Sequence, residues 1–139
     1  MNMNPTLRAI VLAASLCVVA GVALARSAAM VDLGRQAIAT PTPLTDKAVH
    51  DAIIAGGSVH SWKVVGDKPG LLTLEADSGQ HQAVVDVAYD TQGYQITYKS
   101  SANLNYAQSD KKTSIHPKYN QWVENLNSEI HNATLGAAK

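Results

Sequence analysis

The chain has 139 residues, enough for one domain and too few for two, and its 11 basic residues balance its 11 acidic ones. Phosphate contacts need a basic patch, and the only basic cluster is Lys111 and Lys112 with Lys118 nearby, so we expect no nucleic-acid partner. The single cysteine, Cys17, lies in an N-terminal apolar segment, so the rest of the chain has no thiol for disulfides, zinc thiolates or nucleophilic catalysis.

Residues 1–25 have the order of features that is typical of a secretory signal peptide. A basic residue, Arg8, precedes an uncharged run rich in Ala, Val and Leu, and the run ends in Ala23-Leu24-Ala25. Small residues at the first and third of these positions are what a signal peptidase reads. We therefore expect cleavage after Ala25 and delivery of the remaining chain to the periplasm.

The alternative is an uncleaved leader that anchors the protein in the inner membrane, and only in that case do we expect contact with a membrane. The apolar run is shorter than the roughly 20 residues that a spanning helix needs. Lipid attachment at Cys17 is not expected, because Leu16 rather than a small residue precedes it. Residues 26–44 are predicted to be a tether, since Pro41 and Pro43 favour extended backbone.

A helix is predicted to begin at Thr45, whose hydroxyl can cap it, with Asp46 placed favourably for the helix dipole in the first turn. Apolar residues follow at helical spacing, namely Ala48, Val49, Ala52 and Ile53. The pair Gly56-Gly57 predicts the end of this helix, because glycine readily adopts the left-handed conformation that closes many helices.

Alternating apolar and polar residues then predict an antiparallel meander of three or four strands with one more apolar face. Turn-forming residues separate its segments. The predicted strands are Val59–Val65, which carries Trp62 and Val64, followed by Leu72–Ala76, His81–Tyr89 and Tyr94–Tyr98. Residues 100–113 are predicted to be a polar loop.

The last element is predicted to be a helix with Pro117 in its first turn, followed by a frayed tail over residues 133–139. Its apolar stripe has helical period and consists of Tyr119, Trp122, Val123, Leu126 and Ile130. The elements together predict an α+β domain over residues 45–132. In this prediction an N-terminal and a C-terminal helix pack on one face of the meander, as two layers in the order helix, strands, helix.

Several segments between Val49 and Ile130 resemble a family of small, uncharacterised exported proteins and putative lipoproteins of Gram-negative bacteria. The segments are Trp62, Pro69-Gly70, His81–Tyr89, Tyr94–Tyr98, Ser101, Asn103–Tyr106 and Ile115–Trp122. The resemblance implies a small envelope domain without an assigned activity. The chain departs from the family in its poor lipid-attachment motif and in Gly79, where members often carry a basic residue two positions before the histidine.

The five histidines invite a metal hypothesis, but no pair has the i, i+4 spacing of a helical zinc site and no HExxH occurs. We expect His50 and His131 to face solvent and His116 to cap the last helix. Neither Ser100 nor Ser101 lies in a GxSxG or SxxK motif. We therefore predict no catalytic residue, no metal site and no cofactor.

A group of polar and aromatic residues brackets the start of the last helix and predicts a binding face. Tyrosine and asparagine provide adaptable hydrogen bonding with little loss of side-chain entropy. The predicted binding residues are Asn103, Asn105, Tyr106, His116, Tyr119 and Asn120. The alternative is that these side chains satisfy the loop backbone and cap the helix.

These patterns favour a non-enzymatic periplasmic module that binds an envelope protein, a peptide or a cell-wall component. One alternative is a small cell-envelope hydrolase or an inhibitor of a hydrolase, although no nucleophile, base and orienting group are visible together. Another is a structural domain that the leader tethers at the membrane.

Overall fold

A computed structural model describes residues 27–139. Over this range the chain is α+β, with two antiparallel sheets and two helices. The predicted signal peptide over residues 1–25 lies outside the described residues. Neither helix of residues 27–139 is long and apolar enough to cross a membrane.

The elements in chain order begin with two short strands and end with the longer helix. They are β1 (Ala28–Ala29), β2 (Arg35–Ala37), α1 (Asp46–Val59), β3 (Lys63–Lys68), β4 (Leu71–Asp77), β5 (Gln82–Tyr89), β6 (Gly93–Ala102), β7 (Ala107–Ser109), β8 (Lys112–Ile115) and α2 (Pro117–Ala137). The larger sheet has the order β2-β6-β5-β4-β3, and the smaller one has the order β1-β8-β7.

The start of α1 is where the sequence predicts it, and its end is not. The hydroxyl of Thr45 accepts a hydrogen bond from the backbone N–H of Ala48 at 3.1 Å and caps the helix. The helix then runs through Gly56-Gly57 to Val59. A Cβ atom on Gly56 would lie 2.7 Å from the backbone nitrogen of Ile130. The glycine therefore permits the close approach of α1 and α2 rather than ending α1.

Helix α2 has Pro117 at its start, as predicted, and buries the predicted stripe of Tyr119, Val123, Leu126 and Ile130, with Trp122 half-buried beside it. The frayed tail predicted over residues 133–139 is wrong, because the helix continues to Ala137. Thr134 lies one turn beyond Ile130 on the same stripe and is only 2% exposed. The stripe therefore continues for another packed turn.

The alternation in the middle of the chain forms β4, β5 and β6 and places one set of side chains in the core. In the antiparallel register Leu74 pairs with Val85, and Val87 pairs with Ile96. These buried residues form one cluster with the buried residues of α1 and α2. The hydroxyl of Tyr94 on the same face donates to Oδ1 of Asn127 at 2.6 Å, and burial raises the pKa of Tyr94 to about 12.

The strand count and the element order differ from the prediction, because the larger sheet has five strands and two strands precede α1. The predicted tether over residues 26–44 contributes β1 and β2, and Leu44 is buried. The guanidinium of Arg35 on β2 donates to both carboxylate oxygens of Asp90 at 2.8 Å. The predicted loop over residues 100–113 contains the end of β6 and most of the β7–β8 hairpin. These strands are too short to carry a readable alternation.

The first predicted strand is shifted. Strand β3 begins at Lys63, so the buried Trp62 precedes it, and Val64 is 39% exposed. A β-bulge between Val64 and Gly66 interrupts the alternation. Strand β3 is an edge of the larger sheet, where a bulge and flanking lysines are typical devices against edge-to-edge aggregation.

Candidate functional site

Three of the six predicted binding residues are committed to holding the backbone. Oδ1 of Asn120 accepts from the N–H of Val31, and its Nδ2 donates to the carbonyl of Ala29, both at 2.9 Å. Nδ2 of Asn103 donates to the carbonyl of Gln80 at 2.9 Å. The backbone N–H of Lys118 donates to Nδ1 of His116 at 3.0 Å, so this histidine caps α2 as expected.

The two predicted tyrosines belong to one aromatic cluster with Tyr98. The ring of Tyr106 is partly exposed and stacks on Tyr98 with 4.3 Å between centroids, whereas Tyr119 contacts Tyr98 edge-on and is 1% exposed. Burial, and secondarily the charges of Tyr98 and Asp32, hold the pKa of Tyr119 far above the ordinary value for a tyrosine. Tyr119 is therefore a core residue, whereas Asn103, Asn105 and Tyr106 are exposed.

The six residues as a ligand-binding face therefore stay a prediction. The structure gathers them around the start of α2, but most of their polar groups already have partners within the fold. The ring of His116 also contacts the ring of His81 at 5.4 Å. Within the described residues, Nδ1 of His81 is buried without a hydrogen-bond partner.

A second site, which the sequence did not indicate, is a cleft between the end of α1, the end of β4 and the second and third turns of α2. We call it the tryptophan cleft. Its volume is about 490 Å³. Its lining consists of Val59, His60, Ser61, Trp62, Ala76, Asp77, Ser78, Gln121, Trp122 and Asn125.

One wall of the tryptophan cleft is built by an abrupt reversal after α1. The backbone N–H groups of His60 and Trp62 both donate to the carbonyl of Gly57, at 3.3 and 3.0 Å. Ser61 between them has φ of 63°, a left-handed conformation that is uncommon outside glycine. This turn places the Cβ atom of Trp62 against Gly57, and Trp62 is 5% exposed. Ser61 lies exposed at the rim.

The opposite wall comes from one side of α2. Gln121, Trp122 and Asn125 lie next to the buried stripe, because positions i, i+1 and i+4 share a side of a helix. Nζ of Lys118, one turn before Trp122, lies 5.5 Å from the centroid of the indole ring. This cation–π contact favours one orientation of the ring.

The floor of the tryptophan cleft is the turn that follows β4. The carboxylate of Asp77 accepts from the backbone N–H of Gly79 at 2.7 Å, which fixes its orientation at the rim.

Nε2 of His60 lies 3.6 Å from Oε1 of Glu129, so the imidazole faces a carboxylate. The cleft thus combines a buried indole, a half-buried indole and a rim of hydroxyl, amide and carboxylate groups.

Nothing among known protein families, curated proteins or solved structures matches the chain. Within residues 27–139, no group of three or more histidines and carboxylates is placed to hold a metal ion.

A larger cleft of about 630 Å³ beside the start of α1 contains His50. His50, which was expected to face solvent, is partly exposed, at 25% of its side chain, and its ring nitrogens lie 2.9 Å from the carboxylates of Asp51 and Asp67. Hydrogen bonds with these two carboxylates raise the pKa of His50. The polar groups of this cleft thus tie α1 to β3. The exposed His131 does lie at the surface.

The missed residues carried no local signal. Asp77 and Gln121 are distant in sequence and meet only because the end of β4 lies beside the second turn of α2. Asp67, which binds His50, follows it by 17 positions across a helix end and a strand. The weak signals that were available were Gly56-Gly57 in the last turns of α1 and Ser61 after it, which indicate a turn and not a site.

Proposed function

We propose that the chain is a non-enzymatic binding module of the cell envelope that holds its ligand in the tryptophan cleft. The observation that carries the proposal is the pair of side-chain amides that line this cleft beside two indoles. Within the described residues, the side-chain amides of Gln121 and Asn125 take part in no hydrogen bond, so their donors and acceptors are available to a ligand.

The shape of the cleft supports this proposal. Ligand sites are concave, hold roughly 300–1,000 Å³, and combine aromatic walls with a few convergent polar groups. The tryptophan cleft has such a volume, and three separate elements converge on it. The predicted face around Tyr106 is less suited, because Asn103, His116 and Asn120 are occupied by the backbone.

The absence of activity is also part of the proposal. A hydrolase needs a nucleophile within hydrogen-bond reach of a base, which a third group orients. In the tryptophan cleft the imidazole of His60 faces Glu129, and the hydroxyl of Ser78 faces the carbonyl of His81 at 3.4 Å. His60 and Glu129 have the arrangement of a base and its orienting group, but within the described residues no serine hydroxyl hydrogen-bonds to the ring of His60, so no nucleophile is paired with the base.

The proposal also includes the location of the protein and the packing of its helices on the sheet. The signal-peptide pattern of residues 1–25 supports delivery to the periplasm. We infer that α1 and α2 cover one face of the meander as two layers, so that the cleft opens at the edge where β4 and α1 end. Finding the chain with an N-terminus at Arg26 in the periplasmic fraction would support this location, and finding Met1 retained in membranes would contradict it.

The binding proposal is tested by photocrosslinking in cells that export the full chain. A benzophenone amino acid at Gln121, in the cleft, is compared with one at His131, exposed on the same helix outside it. We expect an envelope adduct from position 121 that is absent from position 131. Asn125→Ala should lower the adduct yield, and Asn132→Ala, an exposed asparagine outside the lining, should not.

Equal adducts from both positions, or no adduct from position 121, would contradict binding in the cleft. Turnover of cell-wall or ester substrates by the purified protein would contradict the non-enzymatic part, provided that a folded His60→Ala variant loses the activity.

A further inference from the structure

We propose that the tryptophan cleft recognises a neutral sugar, one or two pyranose rings long. This inference rests on the proposed function and specifies its ligand class. It follows from the combination of an indole surface with uncharged hydrogen-bonding groups and from the lack of cationic side chains in the lining.

The indole of Trp122 provides a flat surface to the cleft, and its contact with Lys118 favours one orientation of the ring. The residue is half-buried against the core, and Lys118 lies 5.5 Å from its ring centroid. An aromatic ring held in this way contributes large contact area with little loss of side-chain entropy. One face of a pyranose ring presents several C–H groups, so it can pack against such a surface while the hydroxyls point outward.

The polar rim matches the hydroxyls of a sugar. Each amide of Gln121 and Asn125 offers two donors and a carbonyl acceptor, and the hydroxyls of Ser61 and Ser78 can do either. A sugar hydroxyl also donates and accepts at once, so a rim of mixed groups can pair with it in several ways. The carboxylate of Asp77 adds an acceptor whose position Gly79 fixes.

The charge of the lining disfavours other ligand classes. Within the described part of the chain no lysine or arginine lines the tryptophan cleft, whereas Asp77 does. Phosphates and carboxylates are recognised mainly by arginine, lysine or a helix N-terminus, and Lys118, which lies beside the lining, is engaged with the ring of Trp122. The aliphatic lining is limited to Val59 and Ala76, which is too small an apolar surface for a lipid chain.

The larger cleft at His50 does not offer the same chemistry. It is lined by Asp46, Lys47, Asp51, Asp67 and Lys68 among others, and in it Lys47 pairs with Asp51 and His50 pairs with Asp67. A ligand would have to break these pairs. The uncommitted amides of the tryptophan cleft require no such exchange.

The chain itself provides the reporter for the experiment. Both of its tryptophans line the cleft, so intrinsic tryptophan fluorescence measures occupancy without a label. The exported full chain is titrated with N,N′-diacetylchitobiose, with cellobiose and with inorganic phosphate. We expect saturable changes with at least one disaccharide, with a Kd on the order of 1 mM or lower, and none with phosphate.

Variants locate the effect in the cleft. Loss of one hydrogen bond should weaken sugar binding about fivefold to tenfold in Gln121→Ala and in Asn125→Ala. Asn132→Ala should bind as the parent does. Trp122→Phe keeps an aromatic surface and should retain weaker binding, and its circular dichroism spectrum and urea midpoint establish that it is folded.

The two disaccharides distinguish the source of the sugar. Preference for N,N′-diacetylchitobiose indicates an amino-sugar glycan such as that of the cell wall, and equal binding indicates a neutral hexose polysaccharide. Both results support the shared chemistry. No response to either sugar up to about 20 mM, far above a weak Kd, or a response to phosphate, would overturn the sugar proposal.

Failure of the sugar proposal is distinguishable from failure of the binding module. If neither sugar binds but the adduct from position 121 persists and depends on Asn125, the cleft has a ligand of another class. If the adduct is also missing, both proposals are wrong.

Discussion

The contact between the two helices predicts a large effect for a single methyl group at Gly56. In Gly56→Ala the new Cβ would lie 2.7–2.8 Å from backbone atoms of Glu129 and Ile130, whereas such contacts are ordinary only from 3.4 Å. Backbone atoms cannot rotate away, so α1 and α2 must separate by about 0.7 Å. Their packing at the crossing would then loosen along both helices.

The magnitude follows from two opposing effects. Overpacking of this kind costs about 3 kcal/mol at the upper end of the usual range, and the better helix propensity of alanine offsets about 1 kcal/mol. We expect a net loss of about 2 kcal/mol in the free energy of unfolding. With a typical dependence on urea, the midpoint of unfolding would fall by roughly 1 M.

The assay is urea unfolding followed by circular dichroism, with Gly136→Ala as the matched control. A Cβ atom on Gly136 would meet nothing within 4 Å, although this residue is also helical. The control should therefore be neutral or stabilised by up to about 1 kcal/mol. A Gly56→Ala variant as stable as the parent would refute the close approach of the helices.

Three further predictions concern contacts that hold β1, β2 and α1 in place. Asn120→Ala should speed amide hydrogen exchange in β1 and β8, and Asn132→Ala should not. Arg35→Ala should lower the unfolding free energy by less than about 1 kcal/mol, because the pair it breaks is exposed. His50→Gln should lower the free energy of unfolding mostly below pH 6.5. Because folding raises the pKa of His50, the protonated imidazole stabilises the fold, and this stability is lost as the pH rises through the folded-state pKa. A loss of stability that grows with pH would contradict this reasoning.

The parts of the fold that were predictable have a periodicity of their own. We could predict the stripe from Tyr119 to Ile130 and the alternation of β5 without knowing what they pack against. The spacing of their apolar residues alone indicates which face is buried. The start of α1 was equally readable, since a cap at Thr45 is a local interaction.

The parts that failed depend on contacts between distant segments. Gly56 has two physical uses, to end a helix or to admit another backbone, and the sequence near it does not distinguish them. Strands β1 and β2 exist because Ile115 and Tyr94 lie in register opposite them, and neither strand carries a pattern. Thr134 reads as polar although the stripe it continues is buried.

The candidate site could not be predicted either, because it also depends on contacts between distant segments. The predicted residues are polar and close in sequence, but three of them hold different backbone segments: Asn103 binds Gln80, His116 caps α2, and Asn120 binds Ala29 and Val31. The residues of the tryptophan cleft are dispersed over three elements, so only the folded chain brings Ser61, Asp77 and Asn125 together.

The proposed function requires that the ligand binds in the tryptophan cleft rather than at the loop before α2. Amide and indole NMR spectra of the uniformly labelled protein, recorded during titration with N,N′-diacetylchitobiose and cellobiose, test this most directly. We predict shifts of both indole N–H signals and of backbone signals at residues 60–62, 76–78 and 121–125. Shifts confined to residues 103–106, or unchanged indole signals at saturation, would contradict it.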